Sequence, residues 1–317
     1  MKRAKSMTVL VQEYLAVRRA LGVQLRIDGQ QLLDFGRYAD SSGRQTEITI
    51  ELVARWARSS ARSTSVGWTR RVDVVRPFAR YRLAFDPRTE IPPRNLLGPA
   101  HRRKQPHIYT ESEVRLLLAA ASRLTPVNGL RPITVRTLLG LLACTGLRPA
   151  EAIKLTRSDV DLEAGVLTIR ETKFCKSRLV PLHSSATRAL LRYTMVRDDK
   201  VPAPTAPSFF VVDGGFPFTK SKLRTAFIRI RRELGWATTP RPKRPRLYDL
   251  RHAFACRRLL RWCAAGVDVH CALPALSTYL GHVKISDTYW YLTGIPELMA
   301  VTAGRFERFV HHGGGRR

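Results

Sequence analysis

Residues 86–106 cannot continue a regular element. Pro87, Pro92 and Pro93 interrupt the stretch, and Gly98 and Pro106 bracket its second half. Proline lacks a backbone N–H and its ring collides with the preceding helical turn, so forcing a helix through it costs about 3 kcal/mol or more. The second half is also basic, with His101-Arg102-Arg103-Lys104 in succession. A chain broken in this way must build a separate core on each side. The expected division is a helical domain over residues 1–97, a basic linker over 98–109 and a larger domain over 110–317. At 317 residues and 44% hydrophobic side chains there is material for two cores.

Before the break the apolar spacing is helical. Val9, Leu10, Tyr14 and Val17, then Leu32, Leu33, Phe35 and Tyr38, recur at helical intervals over residues 7–38, with Gly22 and Gly29 as punctuation. A second helix is expected near 49–59, with Leu52, Val53 and Trp56 on one face. A third is expected over 65–85, with Trp68, Val72, Val75, Phe78 and Tyr81 as its stripe and Arg70, Arg71, Arg76, Arg80 and Arg82 around it. After the break, Thr110 and Glu113 form a capping box that opens a helix running to Ser122. Pro132 suits the first turn of the next helix, which ends near Cys144. Residues 166–170 and 178–182 read as two strands joined by a loop over 171–177. Helices follow at 184–197 and 219–234, separated by a proline-rich loop and a short strand at 209–212. A last helix is expected at 296–310. The fold class expected is mostly α with a small β-hairpin or sheet: a helical N-terminal domain and a mixed α/β domain.

Charge narrows the partner. The chain has 55 Lys and Arg against 25 Asp and Glu, a formal +30. Such a surplus points to a polyanion, because each cation placed on a phosphate releases a condensed counterion. Nucleic acid fits best. A membrane partner fits poorly, since no basic amphipathic helix stands alone and no apolar run reaches about 18–20 residues. The basic start, Met1 to Ser6, leads into no apolar signal core before Gln12 and Glu13, so a cytoplasmic, nucleoid-associated location is expected. Candidate DNA contacts are Arg70, Arg71, Arg102, Arg103, Lys104, Lys176, Lys220, Lys222, Arg224, Lys243 and Arg244. The last five fall within 220–261, where only Glu233 and Asp249 offset a dense run of Lys and Arg. The five cysteines are odd in number and contain no CxxC pair, which reads as free thiols. His270-Cys271 with Cys263 fits no standard zinc spacing, and no metal or cofactor is expected.

Breaking and rejoining a DNA strand without metal or ATP needs three kinds of group. A nucleophile must form a covalent phospho-enzyme that conserves the bond energy. Cations must hold the non-bridging oxygens as negative charge develops. An acid must protonate the departing 5′ oxygen. Arginine suits the second task through its planar, permanently charged fork. Tyrosine suits the first, because a phenolate leaves more readily than an alkoxide and the step can reverse.

These residue types occur in an ordered series of boxes. The first is Thr145-Gly146-Leu147-Arg148-Pro149-Ala150-Glu151. The second is Lys173-Phe174-Cys175-Lys176-Ser177-Arg178-Leu179-Val180-Pro181. The third is Tyr248-Asp249-Leu250-Arg251-His252, the fourth Leu280-Gly281-His282, and Thr288-Tyr289-Trp290-Tyr291 closes the series. Together they resemble the tyrosine recombinases, or phage-type integrases. The resemblance is strong from Thr145 to Tyr291 and architectural before Pro106.

That resemblance implies roles. Arg148 and Arg251 are the phosphate-clamping arginines, Glu151 a supporting acid, and His282 a further phosphate donor. Lys173 is the general acid, with Lys176 its local competitor. Tyr291 is the nucleophile, with Tyr289 as competitor. One position departs: Tyr248 stands where the family keeps a histidine. A phenol titrates near about 10 and makes a poor base at neutral pH, though it can still orient a phosphate oxygen. His252, one residue past Arg251, is turned by about 100° on a helix and is expected to pack or meet the backbone. The implied activity is site-specific recombination or integration through a 3′-phosphotyrosyl intermediate, carried by a mobile element. It implies a homo- or hetero-tetramer on two DNA sites, with both domains gripping the duplex. The alternatives are a type IB topoisomerase-like enzyme and a DNA-binding protein whose catalysis has decayed.

Overall fold

The computed structural model describes residues 5–43, 47–60, 64–99, 105–170, 177–202, 206–239 and 244–293. The chain divides into two compact units, Met1–Arg103 and Lys104–Arg317.

The first unit is built from α1 (Met7–Ala20), α2 (Arg26–Ser41), α3 (Ile50–Arg58) and α4 (Ser65–Leu83). The periodic stretch over 7–38 is therefore two helices rather than one. The chain turns between them through Gly22 at φ +81° and Leu25 at φ +42°, whereas Gly29 lies inside α2. Glycine at position 36 has a packing reason: a Cβ there would sit 2.9 Å from the Thr8 Cα on α1. The Asp40 carboxylate accepts from the Met7 and Thr8 N–H groups at 2.7 and 3.1 Å, satisfying two donors that the start of α1 leaves without helical partners. The core gathers Tyr14, Phe35, Trp56 and Phe78 with the aliphatic residues of all four helices. Phe35 meets Trp56 edge-on at 5.2 Å. The proline-rich segment is anchored by the buried Arg76, which donates to the Pro92 and Pro93 carbonyls at 2.8 and 2.9 Å.

The second unit contains α5 (Glu111–Ser122), α6 (Leu130–Thr145), α7 (Pro149–Lys154), a 3-10 turn (Arg157–Asp159), β1 (Val160–Asp161), β2 (Val166–Ile169) and β3 (Arg178–Pro181). Then follow α8 (Ser184–Lys200), α9 (Lys220–Glu233), α10 (Asp249–Ala264), α11 (Val269–Leu280) and α12 (Ser286–Thr293). Thr110 and Glu113 form the reciprocal capping box at the start of α5. Helix α6 is buried on most of its circumference, with Arg136 and Cys144 on its one open face, as expected of a mainly apolar helix that runs through a core. The strands form one antiparallel sheet in the order β1-β2-β3, with Ile169 opposite Arg178 and Val166 opposite Pro181.

Residues 209–212 do not form the expected strand. They make isolated bridges, Val211 to Pro217 and Ser208 to Thr156. The chain doubles back on itself there, Phe218 N–H donating to the Phe210 carbonyl at 2.9 Å, so no neighbouring strand extends the pairing. Phe209 and Phe210 are instead core residues whose rings lie tilted against Tyr193. The helix expected at 296–310 lies outside the described residues, as do Lys173 and Lys176 in the β2–β3 connection. Among the described residues no helix is long and apolar enough to cross a membrane.

Candidate active site

Two glycine turns form the frame of the site. Helix α6 ends at Gly146, φ +64°, and α11 ends at Gly281, φ +68°. Both are left-handed positions that a side chain occupies only under strain. After α11 the His282 N–H returns to the Ser277 carbonyl at 3.0 Å, which closes a Schellman turn. Neither turn has room for a side chain. A Cβ on Gly146 would lie 2.5 Å from the Phe254 ring, and one on Gly281 would lie 2.7 Å from the Arg178 guanidinium.

The arginines are tied to the carbonyls of these turns. Arg148 precedes Pro149 at the start of α7 and donates through Nη2 to the Gly281 carbonyl at 2.9 Å. Arg251, on the first turn of α10, donates to the Gly146 carbonyl at 2.8 Å and the Leu280 carbonyl at 2.6 Å. It is 1% exposed, and its Nε has no hydrogen-bond partner among the described residues. Burial pulls the Arg251 pKa down, and the nearby Arg148 cation adds to this. The start of α10 is itself fixed by Asp249, whose buried carboxylate accepts from the Arg246 N–H and guanidinium at 2.9 and 2.7 Å.

Glu151 holds the clamp together. Its carboxylate accepts from the Arg148 backbone N–H at 3.0 Å and from Arg148 Nη1 at 2.7 Å. It also accepts from Arg178 Nη2 at 2.9 Å. Arg178, at the start of β3, reaches on to the Tyr279 carbonyl at 2.8 Å. Burial alone would raise the Glu151 carboxyl pKa, but the bonds from Arg178 and Arg148 outweigh it and hold the group below the usual carboxylate range. Burial likewise works against the Arg148 cation, and Glu151 with Tyr248 more than compensates, so its pKa is raised.

Tyr291 lies inside this frame. It comes from α12, is 2% exposed, and packs in a cluster with Phe254, Leu276 and Leu280. Its ring stacks with His282 at 6.2 Å and 19°. His282 meets the buried Thr288 hydroxyl through Nδ1 at 2.7 Å. Burial, then the Arg251 and Arg148 cations, push the His282 pKa down to about 4, so the ring is neutral at pH 7. Tyr289 is exposed against His270. Tyr248 is exposed at the start of α10.

The structure thus brings Arg148, Arg251, His282 and Tyr291 into one site, with Tyr248 at its edge. His252 packs, as expected, against the rings of Tyr248, Trp290 and Tyr291, and beyond that expectation its Nδ1 lies 3.1 Å from the Tyr291 hydroxyl. The 100° rotation that turns it away from Arg251 turns it toward α12. Arg178 is a residue that the boxes alone did not single out. Its only sequence cue is a basic residue opening an otherwise apolar strand.

The surface cations fall into different settings. Lys220, Lys222 and Arg224 are exposed on α9, whose opposite face buries Leu223, Ala226, Phe227 and Ile230. Arg70 is exposed. Arg71 lies over the Trp56 ring at 4.0 Å and donates to the Trp56 carbonyl at 2.9 Å, which engages it with its own core. Arg244 is half-buried and donates to the Thr239 carbonyl at 3.1 Å. Arg102, Arg103, Lys104 and Lys243 lie outside the described residues.

The model of the phage integrase family matches residues 108–294, which includes every residue of this frame. The chain belongs to that family. As a tyrosine recombinase it is a DNA recombinase enzyme. It is 43% identical over 303 residues to y4rB of Sinorhizobium fredii, a protein named as an integrase/recombinase, covering 94% of this chain and 96% of that one. It is 28% identical over 283 residues to the tyrosine recombinase XerD of Bradyrhizobium diazoefficiens, covering 84% and 85%. In fold this recombinase is similar to the XerH site-specific recombinase bound to palindromic difH substrate, with a TM-score of 0.64 at 20% identity over 96% of this chain and 86% of that one. It is similar also to the Tn1549 transposon integrase in complex with transposon right end DNA, with a TM-score of 0.69 at 17% identity over 96% and 100%.

Proposed function

We propose that this recombinase cleaves and rejoins duplex DNA through a 3′-phosphotyrosyl intermediate on Tyr291, as the strand-transfer enzyme of a mobile element. The observation that carries the reading is the convergence of the Arg148, Arg251 and His282 side chains with Tyr291 around the two glycine turns. The arginines supply fixed positive charge where the phosphorane gains negative charge. They are held in place beforehand, so little reorganisation is needed during reaction. In this reading the Thr288 hydroxyl, 2.7 Å from Nδ1, donates to it, so the neutral His282 keeps its proton on Nε2 and offers it to a non-bridging oxygen. Tyr248 orients the same phosphate from the edge. Lys173 protonates the leaving 5′ hydroxyl, with Lys176 as the alternative donor. A 5′ hydroxyl of the partner strand then attacks the phosphotyrosine.

The substrate in this reading is double-stranded DNA, in keeping with the charge of +30 and with fold relatives bound to DNA. Exposed Lys220, Lys222 and Arg224 and Arg70 contribute phosphate contacts. Exchange between two sites requires four protomers. Residues 1–97 act as a core-binding domain and 110–317 as the catalytic domain, joined by 98–109.

The test is covalent trapping. Nicked duplexes taken from the DNA flanking the gene let the short cleaved strand diffuse away and leave the adduct stranded. Wild type should give a detergent-stable protein–DNA adduct that maps to Tyr291, and Tyr291→Phe should give none. Equal adduct from both proteins, or none from wild type on any flanking duplex, refutes the mechanism. An adduct on Tyr289 keeps the reaction class and replaces the nucleophile.

A further inference from the structure

We propose that His252 is the base that takes the proton from Tyr291, filling the role left open by the phenol at position 248. This rests on the reading of Tyr291 as nucleophile. A buried phenol must lose its proton as its oxygen bonds to phosphorus. The group that receives it must lie within hydrogen-bond reach and titrate near working pH. The His252 Nδ1 is 3.1 Å from the Tyr291 oxygen, and histidine is the side chain whose ordinary range spans neutrality. The ring is also well located. It packs edge-on against Trp290 at 5.7 Å and against Tyr248 at 5.3 Å, and it is tilted against Tyr291 at 5.5 Å. The residue that departs from the family pattern therefore helps to hold the imidazole in place.

The other candidates fit the task less well. His282 has Nδ1 engaged with Thr288, and its pKa is pushed down to about 4 by burial and the two arginines, which makes it a weak base. Tyr248 is a phenol at the exposed edge. The titratable groups facing His252 include Tyr248 from the start of its own helix, Tyr291 from α12 and His282 from the turn after α11. Charged Arg251 is adjacent in sequence and sits close enough to Tyr291 to feel its hydroxyl.

The step balances as follows. His252 begins with its proton on Nε2 and a lone pair on Nδ1. The Tyr291 O–H bond breaks and the proton moves to Nδ1, giving an imidazolium. The oxygen electron pair forms the O–P bond, and the P–O5′ bond breaks toward the acid on the opposite side. In the rejoining step the incoming 5′ hydroxyl gives its proton back to that acid as its oxygen bonds to phosphorus, the P–O bond to Tyr291 breaks, and the imidazolium returns the proton to the phenolate.

His252→Asn keeps an oxygen near the Nδ1 position, so it preserves the hydrogen bond yet accepts no proton. Adduct formation on the nicked duplex should slow about 10²–10⁴-fold, the range of general-base effects, and should lose the decline toward acid pH expected of wild type. A 5′-bridging phosphorothiolate substrate, whose thiolate leaves without an acid, should leave that slowing unchanged. His252→Ala should be slowed similarly and partly restored by added imidazole. A wild-type rate and pH profile in His252→Asn overturns the assignment, and so does full restoration by the phosphorothiolate, which would put the defect on the leaving-group side. In either case the wild-type adduct remains on Tyr291 and the nucleophile reading survives. Absence of any wild-type adduct refutes both.

Discussion

Replacing Glu151 with glutamine tests the electrostatic centre of the site. The side chain keeps its shape and loses its charge. Its carboxylate, with a side chain 7% exposed, serves two guanidinium groups, Arg148 at 2.7 Å and Arg178 at 2.9 Å. The Arg178 side chain is itself only 10% exposed. In Glu151→Gln one acceptor oxygen becomes an NH2 group facing guanidinium donors, and two cations remain with half of their partner. Breaking a buried pair on one side costs about 3–5 kcal/mol, because the remaining charge is left without compensation. For a unit of this size each kcal/mol lowers Tm by about 2–4 °C, so a fall of roughly 6–20 °C is expected. Arg178→Met removes one stranded cation, so the double variant should be more stable than the sum of the single losses, with a coupling of about 1–3 kcal/mol. Urea unfolding of the four proteins measures both quantities. A Glu151→Gln loss under about 1 kcal/mol, or strict additivity with Arg178→Met, refutes the claim that this carboxylate holds the arginines. Since the native Glu151 pKa is depressed, its contribution is full above the ordinary carboxylate range and fades as pH falls through it.

Further outcomes follow from the same structure. Gly281→Ala places an L-residue at φ +68°, at about 1–2 kcal/mol, and drives a methyl into Arg178; thermal unfolding should show the loss, and phosphate-dependent adduct formation should fall with it. Gly36→Ala would gain up to about 1 kcal/mol of helix propensity but forces α1 and α2 apart at Thr8, so denaturant unfolding should show net destabilisation rather than gain. His282 is depressed to about 4, below the ordinary His value of about 6.5. The native state thus binds fewer protons than the unfolded one between these values, and stability should drop as pH falls from about 6.5 to 4; His282→Gln should flatten that part of the curve. Lys222→Ala, on the exposed face of α9, should lower the salt slope of DNA binding by about one unit without changing sequence preference.

Much of the scaffold was legible because its signals are local. The Thr110–Glu113 capping box, the alternation of β2 and β3, and the apolar stripes of α3 and α4 each lie within a few residues. The family boxes carried Arg148, Arg251, His282 and Tyr291 into one candidate site. What was not legible depends on tertiary placement. Arg178 acquires its role from Glu151, 27 residues away and on another element, and a basic residue at a strand start looks the same whether it is buried or exposed. His252 was judged by its angle to Arg251, while its direction toward α12 depends on how α10 and α12 pack. The segment at 209–212 has strand composition but no neighbour to pair with, and its aromatic residues went to the core instead. Arg71 illustrates the same limit: its cationic neighbourhood was plain, but the Trp56 face beneath it was not.

Arg148 and Arg251 are both secured by main-chain oxygens, those of Gly146, Leu280 and Gly281. A carbonyl is present whatever residue bears it, so these anchors cannot be deleted by changing a side chain. Side-chain mutagenesis can disturb them only by bending the turns that aim the oxygens. Among the residues that carry these three oxygens, inactivating changes in a randomised library should therefore concentrate at the two glycines, while Leu280 tolerates other apolar residues. The same property lets the surrounding sequence diverge widely while the two guanidinium groups keep their places.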